Sequence, residues 1–107
     1  MPLLALVTVR GPSMAPALRS GDRVLARRVR PPGRVRSGAV VLVAWASRPD
    51  VLAVKRVVRP VEGGCWVEGD NPYASDDSRT YGAAVVLAVV LGRCWPWPPR
   101  ISANLRR

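Results

Sequence analysis

The chain contains no histidine and only one lysine, Lys55, against sixteen arginines. Without histidine, a Ser-His-Asp triad, a Cys-His nucleophile pair and any His-bearing metal site are all excluded. The two cysteines, Cys65 and Cys94, are too few and too far apart for a zinc site or a disulfide framework. Both flank strand-like runs, which predicts buried free thiols. No metal and no cofactor is expected. Long apolar runs are also missing. Met1 to Val9 and Ala83 to Leu91 both fall far short of the ~20 residues that span a bilayer, and the first has no basic region before it. The expectation is a chain without a transmembrane segment, cytoplasmic or peripherally membrane-associated. Acidic residues are scarce as well, seven against seventeen basic ones, for a formal net charge of +10. The basic stretch Arg30 to Ser37 has no aromatic interleaved with it, so it reads as a solvated connector rather than a nucleic-acid patch.

What is present is apolar residues at 49%, mainly Val, Leu and Ala, cut by eleven prolines and nine glycines. That composition excludes wholesale disorder and leaves no room for long helices. The length of 107 residues predicts one domain, residues 1–107, with one modest core. Strands are expected at Leu3 to Val9, Arg23 to Val29, Ala39 to Trp45, Val51 to Val58 and Cys65 to Glu68. Turns fall at Arg19 to Asp22 and Ser47 to Asp50, and Gly69 to Gly82 reads as an irregular loop. Ala83 to Leu91 is a further strand or a helical turn, followed by the Pro/Trp segment Cys94 to Pro99. The expected fold class is all-β, a small, partly closed barrel or coiled antiparallel sheet.

Three stretches carry chemistry. In Val9 to Leu18, Ser13 follows Gly11 and Pro12 and precedes Met14 and Pro16. Such a bend at a strand end holds a hydroxyl rigidly while leaving it reachable. Taken alone, it reads more readily as a surface turn that happens to contain Ser. A serine nucleophile without histidine needs another base, and Ser-Lys pairs are the alternative. A lysine at its ordinary pKa is protonated at neutral pH, but burial among apolar side chains lowers that pKa. Lys55 lies among Leu52, Ala53, Val54, Val57 and Val58; strand alternation puts it on the face of Ala53 and Val57, with Arg56 opposite. The competing reading is an exposed Lys-Arg pair on an edge strand. The third stretch, Gly69 to Gly82, supplies hydroxyls, Ser75 or Ser78, able to hold an amine without recharging it. Asp70 and Asp77 read as structural, pairing with loop amides or with Arg79.

In order, the chain reads G-x-S-M-x-P-x-L, G-D-R-V, K-R-V-V and G-D-N-x-x-x-S-x-D-S-R-x-x-G. These boxes resemble those of signal peptidase I, whose fold is of the signal peptidase/LexA-like type. The resemblance implies Ser13 as nucleophile, Lys55 as general base, Ser75 as the hydroxyl that orients the lysine, and Asp77 and Arg79 as the structural pair beside it. Gly69, Asp70 and Asn71 open that last box, and Gly21 and Asp22 match the turn of the second. The family's oxyanion hole uses the nucleophile's backbone N–H, here Ser13, and in some members a hydroxyl two residues earlier; that position is Gly11, so a second donor is unassigned. In length and in GDNPY the chain is also similar to short anchorless members, the nickel-type superoxide dismutase maturation proteases of actinobacteria.

The implied function is a serine endopeptidase that cleaves a leader or signal-type segment after small residues. Its partner would be a protein substrate bound as an extended strand, with Met14 and the strand around Lys55 as walls; peripheral membrane contact fits the same reading and no nucleic acid is expected. Two alternatives stand beside it. A LexA-type self-cleaving domain would need a cleavable segment, for which the stretch before Gly11 leaves no room. A non-enzymatic basic β-module binding nucleic acid or a membrane surface would use Trp66, Trp95, Trp97 and the positive charge.

Overall fold

In the computed structural model, residues 2–30, 35–74, 76–96 and 99–101 are described. Seven strands form one antiparallel sheet: β1 (Leu4–Thr8), β2 (Arg23–Arg28), β3 (Val40–Trp45), β4 (Arg48–Val61), β5 (Gly64–Glu68), β6 (Val85–Trp95) and β7 (Arg100–Ile101). The order across the sheet is β1-β2-β6-β3-β4-β5, with β7 on β6. The path is open, although an isolated bridge from Cys65 to Ala84 ties β5 back to the chain entering β6. A Cβ on Gly64 would collide with the Ala84 carbonyl, so the close approach that makes this bridge requires glycine there.

The continuous apolar run of β3 is buried at nearly every position, as expected of a central strand. Val41, Val43 and Trp45 pack with Val57, Cys65, Val67 and Ala84 on one side. Leu42 joins Ala26 and Ala88 on the other, with Val7 and Val54 against them. Every neighbouring pair from β1 to β4 is antiparallel. β1 and β4 therefore run in the same direction, and the coiling of the sheet brings their side chains over one floor.

Three expectations shift. The turn after β3 is Ala46-Ser47, not Ser47 to Asp50; Trp45 pairs with Arg48, and Pro49 lies inside β4. The reason is that β4 pairs with β3 up to Arg56 and with β5 only from Arg56 onward. Its first half has one neighbour, and a proline without an N–H is tolerated on the open side. The loop of residues 69–82 also contains one helical turn, α1 (Ser78–Tyr81), capped by Asp77. Of the cysteines, both free, Cys65 is buried but Cys94 is exposed near the end of β6. Among the described residues no helix is long and apolar enough to cross a membrane.

Candidate active site

The backbone of the bend after β1 is fixed from behind. Gly11 adopts φ +77°, a left-handed conformation that glycine accepts without strain. Val9 N–H donates to the Asp22 carbonyl at 2.8 Å and Gly21 N–H donates back to Val9 at 2.8 Å. Gly11 N–H donates to Ser20 Oγ at 3.2 Å. The Asp22 carboxylate, buried, accepts from Arg19 N–H at 2.9 Å and closes its own turn. The G-D pair of the second box is thus the brace of the bend. Met14 is fully buried among Val9, Leu18, Val24, Val40 and Val90. It anchors the bend in the core and is not among the residues lining the groove, so its assignment as a groove wall gives way to packing. Gly11's N–H is committed to Ser20, whereas Ser13 N–H makes no hydrogen bond among the described residues.

From the front, the 69–82 loop clamps the same bend. Asn71 N–H donates to the Ser13 carbonyl at 2.8 Å, and Asn71 Nδ2 donates to the Pro12 carbonyl at 3.2 Å. The Asn71 side-chain oxygen accepts from Tyr73 N–H, which shapes the turn that follows. Asp70 corrects an expectation: its partner is Arg56, in a two-pronged ion pair at 2.8 Å on each prong, and not Arg79 or loop amides. Arg56 projects from the face of β4 opposite Lys55 and also donates to the Gly38 carbonyl at 2.7 Å. Sequence reasoning missed Arg56, although its alternation relative to Lys55 was the available signal. A continuous chain of bonds therefore runs from the strand bearing Lys55, through Arg56, Asp70 and Asn71, to Ser13.

Asp77 has no solvent exposure and accepts from Gly69 N–H at 2.9 Å, from Arg79 N–H at 3.1 Å, and from the Arg79 guanidinium at 3.0 and 2.7 Å. Ser78 Oγ accepts from Val67 N–H at 2.9 Å, seating α1 on β5. Trp45 Nε1 donates to the Gly82 carbonyl at 3.1 Å and holds the far end of the loop. Ser75 lies outside the described residues.

Lys55 is only 4% exposed although it lies in the half of β4 that pairs with β3 alone, so the alternative of an exposed lysine does not apply. Burial pushes its pKa below the ordinary lysine value; the carboxylates of Asp77 and Asp76 pull it back up, and Arg79 adds to the lowering. Ser13 and Lys55 line the same groove, of about 260 Å³. Val7, Thr8, Val9 and Arg10 form one wall, while Leu52, Ala53 and Val54 lead along β4 to Lys55 on the other. The open edge of β4 before Arg56 is what leaves this groove unfilled. A hydroxyl on a braced bend and a buried amine whose pKa is lowered by burial, lining one apolar trough, are the parts of a nucleophilic site.

A model of the family described as Peptidase S24-like matches residues 2–90. The chain belongs to that family. Among curated proteins, this S24-like peptidase is similar to the mitochondrial ATP-independent inner membrane protease subunit 1a of Arabidopsis thaliana, with 31% identity over 97% of the chain and 77% of the relative. It is likewise similar to subunit 1b of the same plant, at 31% identity over 81% of the chain and 68% of the relative. The mitochondrial inner membrane protease subunit 1 of Xenopus tropicalis is 28% identical over 85% of the chain and 69% of the relative. Together with the all-β sheet, these likenesses make it a peptidase of the signal peptidase type.

Proposed function

We propose that the S24-like peptidase is a serine endopeptidase in which Ser13 is the nucleophile and Lys55 the general base. The observation that carries this reading is the shared groove: a braced serine and a buried lysine with lowered pKa line it together. The neutral amine of Lys55 takes the Ser13 hydroxyl proton as Oγ attacks the scissile carbonyl. Ser13 N–H, which has no partner among the described residues, donates to the developing oxyanion. The ammonium then returns the proton to the departing amine, leaving an acyl-Ser13 ester. Water, deprotonated by the same amine, hydrolyses that ester and restores Ser13. Ser75 orients the amine in this scheme.

The substrate is a protein segment laid as an extended strand between β1 and β4. The apolar walls at Val7, Val9 and Val54 suit small side chains, so cleavage follows small residues, as in a leader or signal-type segment. Leu3, Leu4 and Leu6 around β1, and Leu52 at the groove, are exposed. Such a patch suits shallow contact with a membrane surface, in keeping with the inner-membrane names of the relatives.

Wild-type protein, Ser13→Ala and Lys55→Ala are to be incubated with a peptide carrying an Ala-x-Ala site and analysed by mass spectrometry. The expectation is cleavage by wild type alone, with either substitution lowering the rate by at least about a thousandfold. Inhibitors that depend on an active-site histidine leave the wild-type rate unchanged. Cleavage at the wild-type rate by either variant removes that residue from the mechanism.

A further inference from the structure

The groove holds one charged residue that the reaction scheme does not use. Arg10 lines the β1 wall together with Val9 and Ser13 and is exposed. The two other arginines around the site are already committed, Arg56 to Asp70 and Arg79 to Asp77. Arg10 makes no hydrogen bond or ion pair among the described residues. Among the described residues no Asp or Glu lines the groove, and Arg10 is the one charged side chain in it besides the dyad lysine.

Placement decides what this charge can address. β1 and β4 run in the same direction, β1 leading to the bend at Ser13 and the first half of β4 leading to Lys55, so Val7 and Leu52 mark the distant part of the groove and Arg10 the end next to the dyad. The distant part is lined by Val7, Leu42, Leu52 and Val54 and offers nothing to a charged side chain. An extended peptide advances ~3.3 Å per residue, so a guanidinium at the dyad end faces only the few residues beside the scissile bond. When a peptide covers the groove, Arg10 loses water; a carboxylate on the peptide compensates for that loss, and an ammonium aggravates it.

We propose that Arg10 is a specificity residue that selects protein segments carrying an acidic side chain within about three residues of the cleaved bond. The inference rests on the reading of this groove as the cleavage site. The test is a set of peptides with one Ala-x-Ala site, differing only in Asp, Asn or Lys at each of the three positions on either side of it. They are assayed with wild type, Arg10→Ala and Arg10→Glu for kcat/KM. Wild type is expected to show at least one position where Asp exceeds Lys by about five- to tenfold, with Asn between them. Arg10→Ala brings that ratio close to one, Arg10→Glu inverts it, and raising salt from 0.1 to 1 M shrinks it in wild type. A wild-type ratio near one at every position overturns the proposal, as does a preference for Asp that persists in Arg10→Ala. So does an equal fall in kcat on Asp, Asn and Lys peptides in Arg10→Ala, which would assign Arg10 to the oxyanion instead. Failure of wild type to cleave even the Asn peptides would remove the peptidase reading itself, an outcome distinct from loss of charge preference.

Discussion

The end of the groove at Ser13 and the end at Leu52 are held by different means. At Ser13, Asn71 bonds to two successive carbonyls of the bend, Asp22 and Ser20 hold it from behind, and Met14 roots it in the core. At the other end, β1 is an edge strand paired only with β2, and the first half of β4 is paired only with β3. Leu52 stands exposed there, and Leu4 and Leu6 are exposed on the outer face of β1. The first arrangement holds the bend that carries Ser13 from both sides, and acyl transfer needs such positioning. The second leaves backbone edges unpaired, which suits a variable peptide that brings its own hydrogen bonds. Substitutions that disturb the clamped end should therefore cost both stability and turnover, and those at exposed positions of the open strands little stability.

The largest effect is expected at Asp77. Its carboxylate is fully buried, caps α1 and accepts from Gly69 N–H and Arg79. Asp77→Ala removes a cap and several charge-assisted hydrogen bonds, and leaves a buried amide unpaired. The unfolding free energy in urea should fall by about 3 kcal/mol. Asp70→Ala, whose pair with Arg56 is partly solvated, should cost roughly 1 kcal/mol. Equal losses for the two would show that burial does not set the hierarchy within the clamp.

Asn71→Ala comes next. It deletes the bonds to Pro12 and Tyr73 but keeps the backbone bond to Ser13. About 1 kcal/mol of stability should go. Because the bend carries the nucleophile, kcat should fall about tenfold or more with KM little changed. A rise in KM at constant kcat would place Asn71 in substrate binding instead of positioning.

Arg79 separates electrostatics from scaffolding. Its guanidinium offsets the Asp77 carboxylate and itself disfavours protonation of Lys55. Removing that cation in Arg79→Gln exposes Lys55 to the unopposed carboxylate, so the lysine pKa rises. Since the neutral amine is the working form, activity appears only above the lysine pKa, and the acidic limb of the kcat/KM profile moves to higher pH. A limb that stays in place while stability drops would reduce Arg79 to a purely structural partner.

Much of the clamp could be anticipated from local spacing, because its parts lie close in sequence. Asp77 caps a turn two residues from Arg79, and alternation along β4 sets Lys55 on the face of Val57. The pieces that escaped depend on contacts across the chain. Whether Asp70 pairs with Arg79 or Arg56 is decided by how the loop folds over β4, and nothing near Asp70 encodes that. Met14 beside a half-buried serine looks accessible until the bend turns its side chain into the cluster around Val24 and Val90. Pro49 reads as a turn residue because a strand with a single neighbour cannot be told from sequence alone. The open end was invisible for the same reason: an edge is defined by what fails to pair with it.

The smallest effect on the fold, and the clearest on location, is expected from β1. Leu4 lies beside Arg27 and Leu6 beside Leu25 on the outer face of the β1–β2 ribbon, so exposed leucines and an arginine share one surface. Contact with a bilayer would bury the leucines among acyl chains and set the guanidinium against anionic headgroups. Leu4→Asp with Leu6→Asp changes side chains already in water, and stability should move by no more than about 0.5 kcal/mol per site. Cleavage of a short soluble peptide should persist, whereas co-sedimentation with vesicles containing anionic lipid should be lost. If wild type and the double variant sediment equally, the exposed leucines do not make the membrane contact. If the variant unfolds, β1 is held by these leucines after all, and the contrast between the two ends of the groove fails at its open end.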